Sequence, residues 1–185
     1  MGLQKNNKQS EIIDQFPIIG VGASAGGLEA IKSMLSTIPA YSGMAFIVVQ
    51  HLYPEKNSLL PDLLQKITNI PVVSITEHLH IERDHIYVIP PGKIVTVANG
   101  LLKLNPRPTK EKSNKAVDAL FSSMASAYEA SSAAVILSGM GIDGTAGMRA
   151  IREQGGLTIA QDNSAGFTAM PGHAIDANII DFVLP

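Results

Sequence analysis

The 185-residue chain is 45% hydrophobic and 16% charged, with a net charge of −2 and no cysteine. That balance suits one ordinary domain with a buried core, and it argues against disorder and against a nucleic-acid partner. Thiol catalysis, cysteine metal sites and disulfides are excluded. No apolar run reaches the roughly 18 residues of a membrane span and the N-terminus lacks a signal-peptide core, so a cytoplasmic protein without membrane insertion is expected.

Residues 1–15, MGLQKNNKQSEIIDQ, read as a polar lead-in or linker, and 16–185 as the folded domain. The Met-Gly start does not complete a myristoylation pattern, because position 6 is Asn6. PIIGVG (17–22) has the apolar continuity of a buried strand, and Leu28, Ile31, Met34, Leu35 and Ile38 then recur at helical spacing. MAFIVVQ (44–50) is a second strand, Leu59 to Ile67 a second helix, and VVSIT (72–76) and IYVIP (86–90) are further strands. KIVTVANGLLKL (93–104) predicts a β-hairpin, since Asn99-Gly100 tolerates the positive φ angles of a type I′ turn. NPRPTKEKSNK (105–115) reads as a surface loop, and Val117 to Tyr128 carry a helical stripe. AAVILSG (133–139), GLTIAQ (156–161) and IIDFVLP (179–185) complete the strands, with a helix over 145–154 stopped by Gly155-Gly156. Continuous apolar strands alternating with helices predict an α/β domain: a doubly wound, mainly parallel sheet with helices on both faces and one hairpin.

The loop GVGASAGG (20–27) admits two chemistries. Counted from Gly20 it is G-x-G-x-x-A, a dinucleotide fingerprint. Counted from Gly22 it is G-x-S-x-G, a turn exposing Ser24 as a nucleophile. The dinucleotide form needs an acid near the end of strand two for the ribose. That strand ends VVQHL, with His51 in the place of the acid and Glu55 only beyond Pro54. A nucleophilic serine needs a base and an orienting carboxylate, and in a parallel sheet such groups gather at the carboxyl ends of strands. Ser24 and His51 follow strands one and two, and SGMGIDG (138–144) offers Asp143 in a third such loop, with Asp162 as runner-up. Ser24 is then the nucleophile, His51 the base and Asp143 the orienting acid. Backbone N–H groups at Ala25, near the first helix, and at Met140 and Gly141 are candidates to hold an oxyanion. The chain order Ser, His, Asp differs from that of lipase-type hydrolases.

Other residues carry weaker signals. His78 and His80, with His85 nearby, have metal-pair spacing but no acidic cluster completes a site, and TEHLHIERDH reads as an exposed connection, so no metal site is expected. His173 reads as a surface or capping histidine at a helix start, and Met34, Met124 and Met148 as core.

GASAGG (22–27), VVQHL (48–52), IYVIPPG (86–92), LSGMGIDGTAGM (137–148) and AQD (160–162) together resemble the catalytic domain of the bacterial chemotaxis protein-glutamate methylesterases, over nearly the whole of Phe16 to Pro185. The resemblance implies a Ser-His-Asp hydrolase without metal or organic cofactor. Its substrate would be methyl esters of glutamates on chemoreceptor cytoplasmic helices, with methanol released and receptor glutamines also deamidated. It implies that Met140 is the methionine whose backbone helps form the oxyanion site. Two departures stand out: Ala25 follows the serine where threonine is common, and Ala169 stands where glycine usually precedes Met-Pro. The family's N-terminal receiver domain is not expected within this chain. The Ser-Ala form resembles the methylesterase units of methylesterase–methyltransferase fusions, so a fused or associated methyltransferase is an expected partner. The competing expectation is a catalytically weak module that docks on receptor helices or on a fused partner.

Overall fold

The structure, a computed structural model, describes residues 16–51, 59–107 and 115–185. The expected lead-in at 1–15, most of the expected loop at 105–115, and Glu55 lie outside the described residues.

The chain first lays down β1 (Ile18–Ala23), α1 (Gly27–Ser36), β2 (Ala45–Gln50) and α2 (Leu60–Gln65). Three short strands follow: β3 (Val72–Ser74), β4 (Leu79–His80) and β5 (His85–Val88). The hairpin is β6 (Lys93–Ala98) and β7 (Leu101–Pro106), turned by Asn99 at φ 52° and Gly100 at φ 71°, as two positive φ angles require. Then come α3 (Ala116–Tyr128), β8 (Ser132–Ile136), α4 (Thr145–Glu153), β9 (Leu157–Gln161), α5 (Ala169–Asp176) and β10 (Phe182–Leu184).

Seven strands form one parallel sheet in the order β10-β9-β8-β1-β2-β5-β3. A separate three-stranded antiparallel sheet, β4-β7-β6, enlarges the expected hairpin. The segment TEHLHIERDH is therefore not wholly an exposed connection: Leu79 and His80 pair with Leu102 and Leu101. A two-residue strand is too short to show period-two alternation, which is why the pattern missed it.

The central strands of the parallel sheet divide their side chains between two cores, because successive residues point to opposite faces. In β2, Ala45, Ile47 and Val49 face the core built with α3, α4, α5 and the small sheet. Phe46 and Val48 face the core built with α1 and α2. Helices thus cover both faces, as the continuous apolar strands require. On the first face, β1 presents glycines. A Cβ at Gly20 would lie 2.7 Å from Met124 Sδ, and one at Gly22 would lie 2.5 Å from Val117 Cγ1. The two glycines of the G-x-G reading therefore serve packing: they let α3 lie close against β1, which carries Val117, in the first turn of the helix, toward the loop after β1.

The chain leaves β1 toward β2 on one side and returns through β8 on the other. This topological switch places the loops after β1, β2 and β8 at the same sheet edge, where open α/β sheets bind ligands.

Candidate active site

The turn after β1 is set by its glycine. Gly27 N–H donates to Ser24 O at 2.9 Å, closing a four-residue turn, and Gly26 sits at φ 69° and ψ 0°, the third-position geometry of a type II turn. There is no room for a side chain either: a Cβ at Gly26 would lie 2.8 Å from Ser138 Oγ and 2.9 Å from Phe167 Cδ2. The strand thus passes into α1 within three residues and leaves Ser24 half-buried at the turn.

Ser24 is held from both sides. Its N–H donates to Ser138 O at 3.0 Å. On the other flank, Ala23 pairs with Gln50 and His51 N–H donates to Ala23 O at 3.1 Å. Ser24 and His51 are thus the residues that directly follow the last register pair of two neighbouring strands. Two residues before them, Gly22 and Val49 face the α3 side of the sheet.

Asp143 arrives on that face from the loop after β8. Its Oδ2 lies 2.8 Å from His51 Nε2 and accepts the Val117 N–H at 3.0 Å, while its Oδ1 accepts the Asp118 N–H at 2.9 Å. Asp143 is 5% exposed, so its carboxylate meets these partners out of reach of bulk solvent. The carboxylate faces the amino end of α3, the positive end of the helix dipole. The structure therefore brings His51 and Asp143 into contact and places Ser24 in the turn that follows the strand beside that of His51.

Asp162, the runner-up, is turned into its own loop. Its Oδ1 accepts the Ser164 N–H at 2.8 Å, and that bond holds its carboxyl below the usual carboxylate range. Met140 and Gly141 lie in the loop that passes over the serine: a Cβ at Gly139 would come within 3.0 Å of Ser24 Cβ. Met140 is 57% exposed at this edge, with Ile142 and Phe167 also exposed around it. Ala25 contributes its carbonyl to Ser138 Oγ at 2.8 Å.

The remaining sequence candidates lie elsewhere. His78 and His80 are exposed, and His85 stacks on Tyr87 at 6.0 Å between ring centroids. Among the described residues no group of three or more histidine or acidic side chains is placed to hold a metal ion. His173 is exposed inside α5, with Nδ1 2.6 Å from Ala169 O, so the helix starts four residues earlier than the histidine. Met124 and Met148 are fully buried and Met34 packs against the second core.

Two residues of the site had no separate signal in the chain. Ser138 Oγ donates to Ala25 O and accepts the Phe167 N–H at 3.0 Å, and its own N–H donates to Gln161 Oε1 at 3.0 Å. One buried hydroxyl thereby ties together the loops after β1, β8 and β9. Asp118 accepts the N–H groups of Gly144 and Gly147 on one oxygen, both at 2.9 Å. Burial raises the Asp118 carboxyl above its ordinary range and the Asp143 charge pushes the same way, while the amides of Gly147, Gly144 and Ala146 pull it back. An acid in the first turn of a helix is legible only as a complement to the helix dipole; its tertiary partners are not.

A family model described as CheB methylesterase matches residues 19–185. A Leptospira interrogans protein of the protein-glutamate methylesterase/protein-glutamine glutaminase type is 32% identical over 171 residues, covering 91% of this chain and 89% of that protein. The Escherichia coli K12 protein-glutamate methylesterase/protein-glutamine glutaminase is 32% identical over 174 residues, and this chain spans 50% of its length. The crystal structure of the Thermotoga maritima CheB methylesterase catalytic domain superposes with a TM-score of 0.83 at 26% identity, covering 92% of this chain and 93% of that one. With a match over nearly its whole length in sequence and in fold, the chain belongs to the CheB methylesterase family.

Proposed function

We propose that the protein is a serine hydrolase that removes methyl esters from glutamate side chains of chemoreceptors. The observation that carries this is the His51–Asp143 pair at 2.8 Å beside the Ser24 turn, in a chain of this family. Its relatives are named for both methylesterase and glutaminase activity, and this chain is proposed to act on receptor glutamines as well.

The chemistry follows from which nitrogen is engaged. Asp143 occupies Nε2 of His51, so the neutral ring carries its proton there and Nδ1 holds the free lone pair. Nδ1 takes the Ser24 hydroxyl proton as Oγ attacks the ester carbonyl. The tetrahedral oxyanion is held by backbone N–H groups, for which Ala25, Met140 and Gly141 are the proposed donors. On collapse the C–O bond to the methoxy group breaks, and the imidazolium returns its proton to release methanol. Water then attacks the glutamyl–Ser24 ester by the same route reversed, freeing the carboxylate and the serine. Asp143, fixed by two helix amides, holds the imidazole in the tautomer this sequence needs.

The exposed side chains of Met140, Ile142 and Phe167 support a protein substrate, since they give the edge of the site an apolar rim. The substrate partner is the cytoplasmic helices of methyl-accepting receptors, which places the protein in the cytoplasm. A fused or associated methyltransferase is the further partner we propose. No described helix is long and apolar enough to cross a membrane.

The test is methanol release from a methylated receptor cytoplasmic fragment by the wild type, Ser24→Ala and His51→Ala. Loss by orders of magnitude in both variants is expected. No release by the wild type, together with no labelling of Ser24 by a serine-reactive phosphonate, would replace the enzyme by a binding module.

A further inference from the structure

Two helices that meet at the site lack caps of their own. The residue preceding α3 is Lys115 and the residue preceding α4 is Gly144, and neither makes a side-chain capping bond. A helix start leaves several backbone donors without intrahelical partners, and these normally find a nearby Ser, Thr, Asp or Asn. Here the two helices exchange caps. Asp143, immediately before Gly144, accepts the N–H groups of Val117 and Asp118 in the first turn of α3. Asp118, in that same turn, accepts the N–H groups of Gly144 and Gly147 at the start of α4.

The exchange is possible because the helices nearly touch. A Cβ at Gly147 would lie 2.6 Å from Phe121 Cβ and 3.1 Å from Asp118 Cα. The loop 138–144 is therefore anchored at and beyond its last residue by Asp118, while the Asp143 carboxylate meets His51 and the first turn of α3.

We propose that Asp118 is a positioning residue for the reaction: its carboxylate fixes the amides of Gly144 and Gly147 and so aims Asp143 at His51. This rests on the assignment of His51 and Asp143 to the catalytic machinery. Asp118 touches neither the serine nor the imidazole in any contact described above, and its action passes through the backbone that follows Asp143. A helix cap of purely structural use would stabilise α4 and leave turnover alone. A positioning residue lowers kcat in a protein that is still folded.

The experiment compares the wild type with Asp118→Ala, Asp118→Ser and Asp118→Asn. For each, the melting temperature, kcat and KM for methanol release, and the far-downfield proton resonance of the His51–Asp143 hydrogen bond are measured. In Asp118→Ala, assayed well below its melting temperature, kcat falls about 10²-fold, as a misplacement near 1 Å produces, with KM unchanged and the resonance lost. Asp118→Asn, whose single carbonyl oxygen can accept both amides, keeps most of kcat and the resonance. Asp118→Ser, too short to span both amides, decides the matter if the alanine variant does not fold. A folded alanine or serine variant with wild-type kcat overturns the proposal. If the wild type itself releases no methanol, the esterase assignment fails, and the resonance alone then decides: lost in the alanine or serine variant it supports positioning, retained it overturns it.

Discussion

His51 and Asp143 are 92 residues apart in the chain and 2.8 Å apart at their nearest atoms. Three N–H donors converge on the two oxygens of that carboxylate, from His51, Val117 and Asp118. Asparagine has one acceptor oxygen and would turn its amide hydrogens toward at least one of them. Asp143→Asn should therefore lower kcat by about 10⁴-fold through the wrong imidazole tautomer, and lower the melting temperature as well. Single-turnover kinetics on a methylated receptor fragment, with a melting curve beside them, check both. A variant that melts early but turns over normally would remove Asp143 from the chemistry.

Gly26 is the residue on which the serine turn depends. Alanine at φ 69° costs about 1–2 kcal/mol for the backbone conformation, and its Cβ would press on Ser138 Oγ and Phe167. Gly26→Ala is expected to lose about 1–3 kcal/mol of stability and to fall sharply in phosphonate labelling of Ser24. Unchanged labelling would mean that the turn has slack that its geometry does not suggest.

The raised carboxyl of Asp118 has a pH signature in stability. Burial and the neighbouring Asp143 charge favour its protonated form in the folded state, against the tendency of the Gly147, Gly144 and Ala146 amides. Between the unfolded value of 3.8 and the higher folded one, the folded protein binds more protons than the unfolded chain, so this group's contribution falls as pH rises through that window. Above the window the deficit is constant. Asp118→Asn does not titrate. Its melting temperature relative to the wild type should thus rise with pH across the acid range and then level off, as read from paired melts. A difference that shrinks with rising pH would reverse the sign.

An ester has a better leaving group than an amide, and both would use the same serine. Methanol release from a glutamyl methyl ester should exceed ammonia release from glutamine in matched receptor peptides. Comparable rates would point to a slow step shared by the two substrates, such as hydrolysis of the glutamyl–Ser24 ester.

Much of this was legible in the chain because strand ends and turn glycines have local signatures. Ser24, His51 and Asp143 each follow an apolar strand run, and GVGASAGG announces a sharp turn whatever it binds. The strand order was not legible: β5 intervenes between β2 and β3, and nothing in three short apolar runs encodes which of them lies inside. The pair β4 with β7 was missed because Leu79-His80 is too short to alternate. Asp118 and Ser138 escaped for another reason. Their partners are backbone amides and carbonyls on distant segments, and backbone groups leave no residue-type signal.

The strand ladder also acts as a ruler. Ile18 stands opposite Ala45 and Ala23 opposite Gln50, so the strands that deliver Ser24 and His51 end in register. The level at which the serine turn and the imidazole leave the sheet is then a property of residue number in two strands. One residue inserted within Ala45–Gln50 would swing the imidazole to the opposite side of the sheet, toward the α1 core, whereas insertions between α1 and β2 leave the count untouched. Viable length variants of this domain should accordingly place their extra residues outside both strands, and those that do not should be folded relics without turnover.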